Sequence, residues 1–216
     1  MKKFISCLLA FVLLLCFAAC TNEGQSAKEQ TIPREEREFS LGRVDGNIYE
    51  SEFIGIGCTL DQEWSFYSEE QIKTLNNVAE DMLPEDFLEA VKDVMVIYDM
   101  YALGENQLDT ISVNLEKVDK TALAALDLSE NYEKAIPIIM QSFENMGYTD
   151  VSYEISSLRV EDQDFPSLRT CVKANGVTVY QEAFSIKCNG YIANVTLTAY
   201  NEDNIDALVE NFYLLD

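Results

Sequence analysis

The chain has 216 residues and is strongly acidic, with 38 Asp and Glu against 15 Lys and Arg and a formal net charge of −23. Such a charge repels nucleic acid and anionic lipid, so we expect neither nucleic-acid binding nor electrostatic attachment to a membrane. The sequence contains no histidine, which excludes the commonest general base, the commonest zinc ligand and every Ser-His or Cys-His catalytic arrangement.

The N-terminus has the pattern of a secretory leader. Two lysines precede an apolar run from Phe4 to Ala19, and small residues stand directly before Cys20. The run has sixteen residues, fewer than the roughly 20 that span a bilayer, which favours a cleaved leader over a transmembrane helix; an ordinary signal peptide is the other alternative. The closing Phe-Ala-Ala-Cys resembles the lipobox of bacterial lipoproteins, in which the cysteine receives a diacylglycerol. We therefore predict a lipoprotein signal peptide over residues 1–19 and lipid attachment at Cys20.

Residues 20–38 continue as a polar, charged stretch without apolar periodicity, which predicts a flexible tether. Two acyl chains, at about 0.8 kcal/mol per buried CH₂, are enough for lasting attachment. We expect the protein at the outer face of the cell membrane, in an envelope of the Gram-positive type, with the lipid on Cys20 as its membrane contact. Without the leader the chain keeps 13 basic and 38 acidic residues, a net charge of −25. Solubility explains this acidity better than cation storage does.

Residues 39–216 contain no internal repeat and no linker, so they are predicted to form one domain. A turn signal at Val44–Asn47 separates extended segments over Phe39–Val44 and Ile48–Phe53. A further strand is predicted over Phe53–Leu60, after which the chain turns into Trp64, Ser65 and Phe66.

Two helices are predicted next. Ser68 and Gln71 match a capping box at the start of the first one, and its apolar face consists of Ile72, Leu75, Ala79 and Met82. Pro84 suits the first turn of a second, short helix. Strands follow over Val94–Ala102 and Gln107–Val118. In the latter, apolar and polar residues alternate in the manner of a half-buried strand: Ile111, Val113 and Leu115 against Ser112, Asn114 and Glu116.

A central helix is predicted from about Asn131 to Met146, with Pro137 inside it, where a kink is expected, and Gly147 closing it. Its apolar stripe consists of Tyr132, Ile136, Ile139, Met140, Phe143 and Met146. A strand over Val151–Val160 then leads into the C-terminal elements.

Three strands of a meander are predicted over Leu168–Lys173, Val177–Cys188 and Tyr191–Tyr200. The two-residue turn Asn189-Gly190 fixes the register, in which the pairs are Cys188 with Tyr191, Ile186 with Ala193 and Phe184 with Val195. A last helix starts near Asn201–Asp203 and is predicted to bury Ile205, Leu208, Val209 and Phe212. The fold class is therefore α+β, an antiparallel sheet with helices packed on it.

This order of elements resembles the PsbP-like family over about residues 42–216. The resemblance rests on a set of short motifs: Gly46-Asn47, Tyr49, Phe53, Gly55-Ile56, Trp64, Tyr180-Gln181, Gly190-Tyr191 and Leu197–Tyr200. It implies an α/β/α sandwich and a non-enzymatic binding platform. Photosynthetic members dock onto a membrane complex and a nuclear-import member binds a small GTPase; neither interface is matched by residues of this chain.

The domain holds three cysteines, Cys58, Cys171 and Cys188, without a CxxC spacing. The predicted hairpin register places Cys171 opposite Tyr180 and far from Cys188, so we predict buried free thiols.

No phosphate-binding glycine loop, nucleophile elbow or EF-hand spacing occurs in the sequence. We therefore predict no catalytic residue, no cofactor and no metal site. The favoured function is a non-enzymatic module that binds another envelope protein. A small-ligand-binding lipoprotein and a surface hydrolase with paired carboxylates are the alternatives. Tyr180, Tyr191 and Tyr200 are expected to be core residues, the alternative being an aromatic face for a partner.

Overall fold

The computed structural model describes residues 37–81, 96–174 and 176–215. The predicted signal peptide, Cys20, nearly all of the predicted tether and the short helix predicted at Pro84 lie outside these ranges.

Two antiparallel sheets and four helices make up the described part of the chain, which confirms the predicted α+β class. The strands are β1 (Arg43–Asp45), β2 (Ile48–Ser51), β3 (Ile56–Thr59), β4 (Trp64–Phe66), β5 (Val96–Gly104), β6 (Thr110–Lys117), β7 (Thr149–Val160), β8 (Gln163–Ala174), β9 (Val177–Cys188), β10 (Tyr191–Ala199) and β11 (Phe212–Leu214). The helices are α1 (Glu69–Asp81), α2 (Lys120–Ala125), α3 (Leu128–Asn145) and α4 (Glu202–Val209).

The larger sheet has the strand order β4-β5-β6-β10-β9-β8-β7. The predicted meander is present, and its register pairs Cys188 with Tyr191 and Phe184 with Val195, as predicted. Gly190 adopts a φ of +77° in the turn between β9 and β10, a conformation that glycine reaches without steric cost. The turn therefore fixes which side chains of both strands share a face.

The two faces of this sheet are covered by different elements. The small sheet, of order β1-β2-β3-β11, and α4 pack on one face, which we call the small-sheet side; Phe53, Phe184 and Phe212 lie in that core. Helices α2 and α3 pack on the other face, the helix side, where Phe143 and Leu168 are buried. The domain is thus layered as sheet, sheet and helices.

The predicted helix ends are largely confirmed. At α1, Ser68 N donates to Gln71 Oε1 at 2.9 Å and Gln71 N donates to Ser68 Oγ at 3.4 Å, which completes the capping box. Helix α3 begins earlier than predicted because Asp127 caps it, and Gly147 closes it with a φ of +76°. Its predicted stripe faces the sheet, with Tyr132, Ile136, Ile139 and Phe143 buried and Met140 and Met146 partly buried.

The first strand, predicted over Phe39–Val44, covers only Arg43–Asp45, and three further elements differ from their predictions. Strand β8 begins five residues before Leu168 and includes Pro166; pairing with β9 starts only at Ser167, so the proline lies where one neighbour strand is present. Phe212 is not helical, because the chain leaves α4 and pairs with β3 as a short strand. Helix α2 has no counterpart in the predicted elements; Asp119 caps it.

The described chain enters the domain beside the turn between β9 and β10. Asn189 Nδ2 donates to the carbonyl oxygen of Arg37 at 3.3 Å. The ring of Phe39 stacks on Tyr191 with centroids 4.8 Å apart. The start of the domain is therefore held at one end of the long strands.

A buried hydrogen bond joins the two sheets. Tyr49 Oη donates to Asp99 Oδ2 at 2.7 Å, and Gly42 N donates to Asp99 Oδ1 at 2.7 Å. Burial raises the pKa of the Asp99 carboxyl, and these hydrogen bonds lower it part of the way. The hydrogen bonds from Tyr49 and Gly42 therefore stabilise the ionised form of the Asp99 carboxyl against the cost of burial.

We expect Tyr49→Phe to lower the free energy of unfolding at pH 7 by about 1–3 kcal/mol, because Asp99 loses a donor in the interior. Tyr213→Phe is the matched control, since Tyr213 Oη donates to the exposed Glu50 carboxylate at 3.1 Å; it should change the value by less than about 0.5 kcal/mol. Urea titration measures both, and equal losses would contradict the role given to Asp99.

Candidate functional site

The polar residues of β6 are buried, which corrects the prediction of a half-buried strand. Ser112, Asn114 and Glu116 are 1%, 0% and 1% exposed. They point to the helix side, opposite to Val113 and Leu115, because successive side chains of a strand alternate. The strand has polar groups where a protein interior normally has apolar ones.

Strand β10 continues this polar surface. Its residues Asn194 and Thr196 lie directly opposite Asn114 and Ser112, and directly opposite residues of an antiparallel pair share a face. Both are nearly fully buried. Two adjacent central strands, about 4.8 Å apart, therefore present amides and hydroxyls side by side.

Further polar side chains extend the surface across the helix side of the sheet. Ser185 and Gln181 of β9 pair with Asn194 and Thr198 of β10, and Thr170 of β8 pairs with Gln181. We call the whole set the polar band: Ser112, Asn114 and Glu116 of β6, Asn194, Thr196 and Thr198 of β10, Gln181 and Ser185 of β9, and Thr170 of β8. Each of these residues is at most 4% exposed.

Helix α3 contributes one group that contacts the polar band. The hydroxyl of Tyr132 and that of Ser185 are 2.6 Å apart, and Ser185 Oγ donates to Asn194 Oδ1 at 2.7 Å. Because Ser185 gives its one proton to Asn194, Tyr132 is the donor to Ser185. Asn131, the preceding residue of α3, is 1% exposed. The chain of bonds fixes the Asn194 amide with its nitrogen turned away from Ser185.

Many atoms of this region have no hydrogen-bond partner within the described ranges. They are Asn114 Oδ1, Glu116 Oε2, Asn131 Oδ1 and Nδ2, Thr170 Oγ1, Gln181 Oε1, Asn194 Nδ2 and Thr196 Oγ1. An unsatisfied buried polar atom costs about 1–3 kcal/mol, and native structures keep only a few of them per 100 residues. Such a concentration on one face is typical of a place that is completed by water or by a ligand.

Glu116 is the acidic member of the polar band. Burial raises the pKa of its carboxyl to about 8. Val96 and Ile192 flank it on the neighbouring strands, and no hydrogen bond or ion pair to it is present in the part of the chain that the structure describes. A buried carboxyl of this kind, in a polar setting, is a candidate functional group.

The second buried acid with a raised pKa lies elsewhere. Asp99 is bonded to Tyr49, whose ring belongs to the core on the small-sheet side, whereas Glu116 faces the helix side. The paired carboxylates of the predicted alternative, a hydrolase, are therefore not formed by these two residues, because a glycosidase pair must flank one substrate.

A cleft of about 360 Å³ lies between β7, β8, β9 and α4, and Arg169 is among its lining residues. Arg169 Nε donates to Glu182 Oε2 at 2.5 Å and Nη2 donates to Asp206 Oδ1 at 2.6 Å. Because both carboxylates already hold the guanidinium, its charge is neutralised inside the chain. The arrangement attaches α4 to the sheet.

The cysteines and tyrosines singled out in the sequence are structural. Cys58, Cys171 and Cys188 form no disulfide with one another; the first and third are buried and Cys171 is half-buried, and Cys171 lies opposite Tyr180 as predicted. The three tyrosines pack against the two cores, as expected: Tyr180 and Tyr191 on the small-sheet side and Tyr200 on the helix side.

The large exposed apolar side chains lie mostly near the start of the domain: Phe39, Leu41, Val44 and Ile48, with Tyr153 and Val177 elsewhere. No three His, Cys, Asp or Glu side chains of residues 37–81, 96–174 and 176–215 converge to hold a metal ion. Among the described helices, none combines the length and the apolar character needed to cross a membrane.

The polar band is a site that the sequence did not reveal. The signal was present as two alternating polar series, Ser112–Glu116 and Asn194–Thr198, and each was compatible with a solvent-exposed face. Only the pairing of β6 with β10 shows that the two series meet.

Comparison with known proteins finds no match in sequence and a solved structure with a similar fold. No family model matches the chain, and no curated protein matches its sequence; membership of the PsbP-like family stays a prediction. The fold is similar to that in the crystal structure of LpqN, which is involved in cell envelope biogenesis of Mycobacterium tuberculosis, with 13% identity and a TM-score of 0.40. The match covers 74% of this chain and 83% of that chain.

Proposed function

We propose that the protein is a lipid-anchored, extracytoplasmic binding protein that holds a small polar molecule on the polar band and does not transform it. The observation that supports this most directly is the set of buried amide and hydroxyl atoms without partners on one face of the sheet. The leader and Cys20 support the location, and the absence of histidine from the sequence supports a non-enzymatic role.

The chemistry of the polar band restricts the ligand. The band itself contains no arginine or lysine and includes an acidic residue, so phosphates and carboxylates would find no counter-charge there. Its unpaired groups are amides and hydroxyls, which exchange hydrogen bonds with hydroxyl-rich or amide-containing molecules. Because the band is buried, its occupant is a small molecule and not a protein surface.

A site built from buried amides and hydroxyls also discriminates strongly between similar ligands. A ligand that lacks one of the expected hydroxyls would leave a buried partner unpaired, and such sites reject the analogue by factors of about 10⁴–10⁵. We therefore expect a narrow range of bound compounds.

Asn114→Leu is expected to abolish ligand binding while raising the free energy of unfolding by about 1 kcal/mol. Asn114 Oδ1 has no partner among the described residues, and its Nδ2 makes only a 3.4 Å contact with Ser112 Oγ, so an apolar side chain removes an unsatisfied group at little cost. Ser157→Val, at an exposed position of β7, is the control and should change neither property.

The experiment uses the full-length protein purified from membranes in detergent. Calorimetric titration with glycerol, neutral monosaccharides and small amides measures binding, and urea unfolding measures stability. If Asn114→Leu bound these probes like the unmodified protein, or if no probe bound, the proposed function would be wrong.

A protein partner in the envelope is the second candidate. It is favoured by the exposed apolar side chains Phe39, Leu41, Val44 and Ile48, which lie where the predicted tether joins the domain. Crosslinking in intact cells through a photoreactive residue at position 41 would show one defined protein if this candidate is right, and only wall material if it is wrong.

A further inference from the structure

The unpaired atoms of the polar band are unequal in kind. Oxygen acceptors predominate: Asn114 Oδ1, Glu116 Oε2 and Gln181 Oε1 stand against one amide donor, Asn194 Nδ2. The hydroxyls of Thr170 and Thr196 can act in either sense. A ligand that pairs with all of these atoms must therefore offer more hydrogen-bond donors than acceptors.

Glu116 adds an ionisable carboxyl to these acceptors. It follows Asn114 on the same face of β6, about 6.7 Å along the strand, and its second carboxyl oxygen has no partner in the described ranges. A carboxyl that is 1% exposed and whose Oε2 has no donor among the described residues is a costly feature, and a bound donor would remove the cost.

From this geometry we infer that the polar band selects a ligand that carries a protonated amine next to hydroxyl groups, and that Glu116 is the counter-ion of the amine. The inference rests on the proposed function, since it names the ligand class of the same site. An ammonium group brings three donors and no acceptor, which fits the excess of oxygen atoms.

Several charged and titratable groups lie on the elements around Glu116. Lys187, on β9 beyond Ile192, donates its Nζ to the carbonyl oxygen of Leu126, and Lys120 of α2 lies over Gly190. Tyr98 of β5 shares the helix side, and Lys73 of α1 is exposed. None of these makes an ion pair or hydrogen bond with Glu116 among the described contacts.

Binding of the protonated amine then releases a proton from the Glu116 carboxyl. The Glu116 carboxyl, with its pKa of about 8, is mostly protonated at pH 7. When the ammonium group arrives, the carboxyl releases its proton to the buffer and pairs with the amine as a carboxylate. Opposite charge at short range favours the ionised form, so the complex holds one proton fewer than the separate partners.

Serinol and glycerol are matched probes, because serinol has an amino group in place of the middle hydroxyl of glycerol. We expect full-length protein to bind serinol at least tenfold more tightly than glycerol at pH 8. Serinol binding should weaken by about 50-fold at pH 6, where about 1% of a carboxyl with this pKa is ionised, against about half at pH 8. Glycerol binding should change by less than threefold between the two values.

Proton release and two variants complete the test. Calorimetry at pH 7 in two buffers of different ionisation enthalpy should show close to one proton released per bound serinol. Glu116→Gln should abolish the preference for serinol and the proton release, and Glu116→Asp, which keeps the charge, should retain part of both.

Failure of the inference and failure of the proposed function give different results. If glycerol binds and serinol binds no more tightly, or if Glu116→Gln keeps the preference, the inference about the amine is wrong and the proposed function stands. If neither probe, nor any monosaccharide or amide, binds to the unmodified protein, the proposed function itself is wrong.

Discussion

Replacing Glu116 with glutamine is expected to raise the free energy of unfolding at pH 8 by on the order of 4 kcal/mol and to leave it unchanged near pH 4. Burial raises the pKa of this carboxyl to about 8 in the folded chain, from about 4.5 in the unfolded one. Between these values the folded state binds more protons than the unfolded state, so stability falls as the pH rises. Glutamine removes the ionisation and hence this fall.

Urea unfolding of both proteins between pH 4 and pH 9, without added ligand, measures the effect. Glu133→Gln on the exposed face of α3 is the control and should stay within about 0.5 kcal/mol of the unmodified protein at every pH. Parallel stability curves for the unmodified protein and Glu116→Gln would show that Glu116 is not buried as a neutral acid.

Phe184→Ala is expected to lower the free energy of unfolding by about 3–5 kcal/mol, the usual cost of removing a fully buried phenylalanine. Phe184 is 0% exposed and lies between Phe165 and Phe212, with ring centroids 5.6 and 5.8 Å away. Since Phe212 belongs to β11 of the small sheet, the ring also joins the two sheets. Domains of this size are stable by only about 5–15 kcal/mol.

The size of this loss can be checked by urea unfolding at pH 6. Tyr153→Ala is a suitable comparison, because that ring is 50% exposed on the edge strand β7; we expect a loss of less than about 1 kcal/mol. A similar loss for both variants would mean that the core around Phe184 relaxes to fill the cavity.

Local signals explain why the meander could be predicted in detail. The turn at Gly190 admits one register between β9 and β10, and the alternation of Phe184 and Ile186 with polar residues agrees with it. The capping box at Ser68 and the closing Gly147 are equally local. These features depend on residues within a few positions of one another.

The polar band could not be predicted because it depends on distant parts of the chain. Asn114 and Asn194 are neighbours only because β10 inserts between β6 and β9. A polar series in a single strand is most often a solvent-exposed face, so Ser112 and Glu116 taken alone indicate an exposed surface. In the folded domain the helix side of the sheet is covered, so these polar residues are buried.

Short elements were missed for a different reason. Strand β11 has three residues, and Phe212 continues the apolar spacing of α4, so the sequence favours a longer helix. Pairing with β3 overrides that preference. Helix α2, with six residues, likewise owes its stability to the domain, since isolated helices of this length are unstable in water.

The contact between Asn189 and the Arg37 carbonyl would orient a domain that is anchored as proposed. A lipid tether leaving at that point would direct the turn between β9 and β10 toward the bilayer. The twelve residues of β9 span about 40 Å, so the opposite pole, with Gly176 and the half-exposed Val177, would stand farthest from the lipid headgroups. In the proposed arrangement at the outer face of the membrane, a molecule that approaches from outside would meet that pole first.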